Sequence, residues 1–189
     1  VDIETGNILI KKSSDNSTVE SIDVTSNQVT GSGSTQITIN PSSNFTSGTQ
    51  YYVQIPATAF DDAAGNSYAG ITDTTSLSFT TADVDDPIIT GPSGETSSSS
   101  SVSITEDTTS VHIFSANETV TWSIRGGADR SLFSIDPTTG ALVFKTAPDF
   151  DNPTDTGQNN SYEVTVSAKD SSNNIVDQTI TITVLEAAA

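Results

Sequence analysis

The chain has 189 residues, enough for one large or two ordinary domains, and no cysteine, which excludes disulfide frameworks, thiolate metal sites and cysteine nucleophiles. Only 6 basic residues stand against 24 acidic ones, a formal net charge of -18, so nucleic acid and anionic lipid are excluded as partners. Such an excess opposes folding unless it is neutralised locally, and calcium bound by clustered carboxylates is the usual solution.

No run reaches the ~20 apolar residues that span a membrane, so direct membrane insertion is not expected. The start, Val1-Asp2-Ile3-Glu4, is not a signal peptide, and the chain reads as an internal piece of a longer one. Good helix formers are sparse while Ser, Thr, Asn and Asp abound, which argues for strands and turns throughout. In the first part apolar residues alternate over Asn7-Ile8-Leu9-Ile10, Ser21-Ile22-Asp23-Val24, Gln36-Ile37-Thr38-Ile39 and Tyr51-Tyr52-Val53-Gln54-Ile55. A period of two predicts half-buried strands. Turn-forming stretches separate them, among them Gly31-Ser32-Gly33-Ser34 and Asp61-Asp62-Ala63-Ala64-Gly65-Asn66, and Leu77-Ser78-Phe79-Thr80-Thr81 is the last strand.

Asp83-Val84-Asp85-Asp86-Pro87 and the serines from Ser97 to Ser101 follow as a low-complexity boundary unable to bury a core. Strand rhythm resumes at Ser101-Val102-Ser103-Ile104, Val111-His112-Ile113-Phe114, Val120-Thr121-Trp122-Ser123-Ile124, Leu132-Phe133-Ser134-Ile135 and Leu142-Val143-Phe144. Two longer strands close it, Tyr162 to Ala168 and Gln178 to Val184. Seven short strands suggest an Ig-like sandwich.

The fold class is therefore all-β, as two tandem β-sandwiches. Residues 1–82 form the first, 83–101 an acidic, Ser-rich linker and 102–185 the second, with 186–189 as a tail foreign to the fold. Asp83, Asp85 and Asp86 place three carboxylates within four residues, the hard oxygen ligands that calcium takes six to eight at a time. In an extended segment Asp83 and Asp85 share one face. Asp61, Asp62 and Asn66 read as an ordinary Asx turn. Catalysis finds little support: His112 is the only histidine, sits in an alternating strand and has a structural or surface role, and strand-borne Trp122 belongs to a core.

Residues 102–185 resemble a cadherin repeat. The resemblance rests on Leu132-Phe133-Ser134-Ile135-Asp136-Pro137-Thr138-Thr139-Gly140-Ala141-Leu142 and on Tyr162-Glu163-Val164-Thr165-Val166-Ser167-Ala168-Lys169-Asp170. It implies calcium held between successive repeats, rigidifying a rod. By position it assigns Glu106, Asp149 and Asp151 as ligands at one end of the repeat and Asp170 at the other. Ala116-Asn117-Glu118 stands where the family has paired aspartates, which leaves Asn117 as the ligand there.

Residues 1–82 resemble a bacterial Ig-like domain of S-layer and large surface proteins, on Ala59-Phe60-Asp61-Asp62-Ala63-Ala64-Gly65-Asn66, Gly48-Thr49-Gln50-Tyr51-Tyr52-Val53 and the terminal strand. This implies that a first strand is missing, leaving an open edge or a gap filled by another chain. The expected role is a calcium-stabilised spacer or adhesive segment of a secreted, extracellular bacterial cell-surface protein, not an enzyme. Its partners are neighbouring repeats of the same chain, with other cell-surface proteins or glycans beyond them. The alternative is a carbohydrate-binding module, which exposed aromatics grouped on one sheet face would favour.

Overall fold

The computed structural model describes residues 1–94 and 96–188, and the chain divides into two compact units, Val1–Val84 and Asp85–Ala189. In the first unit an antiparallel sheet runs in the order β3 (Thr18–Asp23), β2 (Asn7–Lys12), β6 (Gln50–Gln54), β8 (Ser78–Thr80). The alternation of β2 puts Ile8 and Ile10 into the core opposite Ile22 of β3, where both Ile8 and Ile22 are fully buried. Two short ribbons complete the unit, β1 (Asp2–Ile3) with β7 (Phe60–Asp61) and β4 (Val29–Thr30) with β5 (Thr38–Ile39).

Strand β6 departs from a period of two, because Tyr51, Tyr52 and Val53 are all buried. Tyr51 lies in the core in ring contact with Phe45 and Phe79, which also meet each other, its hydroxyl accepting from the Thr46 N–H at 2.8 Å. Tyr52 is covered from the other face: its hydroxyl donates to Asn16 Oδ1 at 2.9 Å and Lys11 Nζ stands 6.0 Å from its ring. A polar cap can thus bury an outward tyrosine that alternation alone would leave exposed.

In the second unit the larger sheet runs β10 (Ser99–Thr105), β17 (Ile175–Leu185), β16 (Ser161–Lys169), β13 (Thr121–Gly126). β16 and β17 form a long antiparallel hairpin that pairs Tyr162 with Ile182 and Val164 with Ile180. A three-stranded sheet faces it in the order β11 (Ser110–Ile113), β15 (Ala141–Phe144), β14 (Phe133–Ile135). β9 (Ile89–Thr90) pairs with β12 (Ser115–Ala116). The core between the sheets is aromatic, with Phe133 and Phe144 at 4.2 Å and Tyr162 edge-on to Phe144 at 5.1 Å. Trp122 joins it at 5% exposure, and His112 is half-buried on β11, edge-on to Phe114 at 4.9 Å.

The Ile135-to-Gly140 stretch is a turn held by the Asp136 side chain and closed by a glycine. Asp136 Oδ1 accepts from the Thr138 and Thr139 N–H groups, and the Gly140 N–H donates to the Asp136 carbonyl. Gly140 takes φ +71°, and a Cβ there would stand 2.8 Å from the Phe114 carbonyl and 2.9 Å from Trp122 Nε1. Glycine is therefore required both by the left-handed backbone and by close approach.

One boundary differs from expectation. Of the serine run placed in the 83–101 linker, Ser99, Ser100 and Ser101 form the start of β10, parallel to β17, with Ser99 opposite Thr179 and Ser101 opposite Thr181. Serine is small enough to point either way, and pairing with a long neighbouring strand overrides its weak propensity. In the tail, the Ala187 N–H donates to Glu106 Oε1 at 2.9 Å.

Candidate metal centre

The carboxylates of the second unit gather in two places. In the first, Asp170 directly follows β16 and is 6% exposed. Its Oδ1 accepts from the Asn174 N–H at 2.8 Å and its Oδ2 from Asn174 Nδ2 at 2.7 Å, closing the turn into β17. A carboxylate oxygen of Glu118, half-buried after β12, lies within 4.8 Å of one from Asp170. Two like charges this close, one of them out of water, favour a cation between them. Asn117 beside them accepts from the Ile88 N–H at 2.7 Å and donates its own N–H back to the Ile88 carbonyl. This reciprocal pair fastens the segment that carries Asp86, two residues before Ile88, alongside Asn117.

In the second place, Glu106 follows β10 and receives the Phe150 N–H on Oε2 and the Ala187 N–H on Oε1, both at 2.9 Å. The Asp107 N–H donates to the Pro148 carbonyl, which fixes the 148–151 run against the 106–107 corner. Asp149 accepts on Oδ1 from the Asp151 and Asn152 N–H groups and on Oδ2 from Asn152 Nδ2. The Asn152 bond, with smaller help from the two backbone groups, holds its pKa below the usual carboxylate range. Glu106, Asp149 and Asp151 therefore belong to one corner, with Asp149 and Asp151 exposed to solvent.

Asp83, in the first unit, is half-buried and accepts from Ser47 Oγ at 3.1 Å, packed beside Gly48. Asp85 and Asp86 are exposed. Glu118 is the residue that sequence reasoning passed over in favour of Asn117. Its signal was only a carboxylate at the position of a missing aspartate, one residue further along.

Both clusters offer hard oxygen donors, the set that suits calcium and magnesium rather than softer metals. Each carboxylate has about four lone-pair sites, so the hydrogen bonds that orient Asp170 and Glu106 leave capacity for an ion.

Two further buried carboxylates serve the fold instead. Asp129, 4% exposed, accepts from the Glu163 N–H, the Thr156 N–H and Thr156 Oγ1 at 2.8, 2.7 and 2.7 Å. Burial pushes its pKa up, but these bonds outweigh burial and the net shift is downward. Asp155, 3% exposed, accepts from the Asn159 and Asn160 N–H groups and shapes the turn ahead of β16. In the first unit Asp62 accepts from the Ala64 and Asn66 N–H groups and from Asn66 Nδ2, the Asx turn read from the sequence.

Comparison with known proteins agrees with this architecture. Residues 3–81 match the bacterial Ig-like domain family. No curated protein sequence matches the chain at a significant level. Among solved structures, human CDH23 EC21-23 aligns over 97% of this chain and 58% of its own, at 14% identity and a TM-score of 0.56. Domains 1–4 of protocadherin gamma B7 align over 99% and 40% at 18% identity and a TM-score of 0.45. Cadherin domains 3–6 of protocadherin gamma B2 align over 52% and 22% at 23% identity and a TM-score of 0.41. The chain thus spans less than two thirds of the length of each of these three. Among the described residues no helix is long and apolar enough to cross a membrane. Residues 3–81 are thus similar to the bacterial Ig-like domain family, and the all-β fold is similar to that of human CDH23 EC21-23.

Proposed function

We propose that this chain is a calcium-stabilised spacer in a secreted bacterial cell-surface protein, serving adhesion by stiffening a stalk of repeats. The observation that carries this reading is the approach of Glu118 to buried Asp170 within 4.8 Å, in a chain of net charge -18. Calcium would be held there by Asp170 and Glu118, with Asn117 and Asp86 from the adjoining segment. Asp83 and Asp85 are further candidate ligands in the same acidic run of sequence. Glu106, Asp149 and Asp151 form a second candidate site, and neighbouring repeats of the same chain are the natural partners. Bound calcium would supply positive charge that offsets carboxylate repulsion.

The distribution of aromatic rings favours a spacer over a carbohydrate-binding module. Tyr51, Tyr52, Phe60, Trp122, Phe133 and Tyr162 are all buried, and Tyr68 and Phe79 are the aromatics with large exposure, at 39% and 37%. They do not make the broad aromatic platform that sugar rings stack on.

The test is thermal unfolding and small-angle scattering of the full chain after chelation, with and without millimolar calcium. An ion in hundredfold excess over its Kd stabilises by about 2.7 kcal/mol. We expect a raised Tm and a narrower distance distribution in calcium, both weakened in D170N. Identical curves with and without calcium would overturn the proposal.

A further inference from the structure

Phe150 stands between Asp149 and Asp151, and both of its backbone polar groups are taken. Its N–H donates to Glu106 Oε2 and its carbonyl accepts from Asn160 Nδ2, both at 2.9 Å. The first bond belongs to the Glu106 corner itself, whereas the second comes from the residue just before β16. The Phe150 ring is partly buried and packs on the core of the second unit. With the ring seated and the backbone held at both ends, the directions in which the two flanking carboxylates leave the chain are set.

Asn160 is in turn fixed from three sides. Its N–H donates to Oδ1 of buried Asp155 at 2.9 Å, and its carbonyl accepts from the Val184 N–H of β17 at 2.9 Å. Its backbone takes φ +61°, the left-handed region that Asn visits more readily than most residues. Its Oδ1, by contrast, is buried with no hydrogen-bond partner, which is a cost. A glycine would adopt this backbone without strain and bury no orphaned oxygen. What asparagine adds at this position is the bond to Phe150. Asn160 makes no hydrogen bond to Glu106, Asp149 or Asp151.

We propose that Asn160 is a positioning residue for the corner of Glu106, Asp149 and Asp151, and that through Phe150 it presets where these carboxylates stand before calcium arrives. The inference rests on the reading of that corner as a calcium site. Loss of a group that orients ligands from behind typically lowers metal affinity about 10–100-fold.

The test is N160G, which keeps the left-handed backbone and removes the amide. Calcium is titrated into the metal-stripped full chain, wild type and N160G, while the amide signals of Asp151 and Asn174 are followed, the second reporting the Asp170 cluster. Hydrogen exchange of the Phe150 amide is measured in chelator, where no ion contributes. In N160G we expect calcium affinity at Asp151 to fall at least about tenfold, the titration at Asn174 to stay as in wild type, and Phe150 exchange to quicken. An unchanged titration at Asp151 beside a normal wild-type response would overturn this inference alone, as would unchanged Phe150 exchange. Equal losses at both clusters, or loss of folding by Trp122 fluorescence, would make Asn160 a general stabiliser and equally overturn it. No calcium response at either cluster in wild type would overturn the spacer reading together with this inference.

Discussion

Removing the Asp129 carboxylate isolates the contribution of one buried anion to the second unit. Asp129 accepts three hydrogen bonds, one of them from the Glu163 N–H at 2.8 Å on a strand that lines the core. In Asp129→Ala the Thr156 donors can turn to water, whereas the Glu163 N–H loses its charged acceptor beneath the neighbouring loop. A hydrogen bond to a charged group contributes about 1.5–3 kcal/mol, so we expect a loss of about 2–3 kcal/mol. D129N keeps one acceptor oxygen but turns an amide toward another donor, and should lose about half as much. Trp122 is the single tryptophan and lies in the core of the second unit, so its fluorescence during urea unfolding reports that unit alone. Stability differences follow from the midpoint at unchanged m-value. The pH dependence has a fixed sign. Because folding lowers the Asp129 pKa below 3.8, its stabilisation is complete above that value and lost as pH falls through the folded-state pKa. The gap between wild type and Asp129→Ala should therefore close in acid. A gap below about 0.5 kcal/mol at neutral pH, the scatter of ordinary surface substitutions, or one that persists unchanged to strong acid, would refute the reasoning.

The first unit has its own acid-sensitive clamp. Burial raises the Glu20 pKa, but bonds from the Ser42 and Ser43 N–H groups and the Gln28 and Ser42 side chains outweigh it and bring it down to about 2. E20Q should lower the Tm of the first unit at pH 7, read by circular dichroism, with no change in Trp122 fluorescence. The difference should fade as pH drops from about 4.5 toward 2. Gly140→Ala should destabilise the second unit by about 1–3 kcal/mol through left-handed backbone strain and the clash with the Phe114 carbonyl. Trp122 fluorescence checks this directly, and an unchanged midpoint would show that the turn relaxes.

Much of the fold was legible in local chemistry. The alternation of Ile8 and Ile10, and that of Ile180, Ile182 and Val184, predicted the core faces that the sheets bury. Asp62 and Asn66 marked an Asx turn whose hydrogen bonds are now explicit. Other positions were illegible because a neighbour decides them. Tyr52 is buried on the outward face only because Asn16 and Lys11 reach over it. The serines of β10 read as a linker because their composition carries no strand signal, yet β17 supplies a full row of pairing partners.

The candidate sites divide in the same way. Sequence resemblance singled out Glu106, Asp149, Asp151 and Asp170, since these acids sit at fixed offsets from strand ends. It could not distinguish Asn117, whose amide oxygen binds the Ile88 N–H, from Glu118, whose carboxylate meets Asp170. Nor could it separate Asp129, locked beneath a loop, from the many acids on the surface. By itself the sequence determined the all-β character, the strand faces, the turns and the acidic excess, because propensity and periodicity act between residues close along the chain. Only the tertiary structure decided which carboxylates meet and which become buried, because strand pairing and register bring together residues that no local pattern connects.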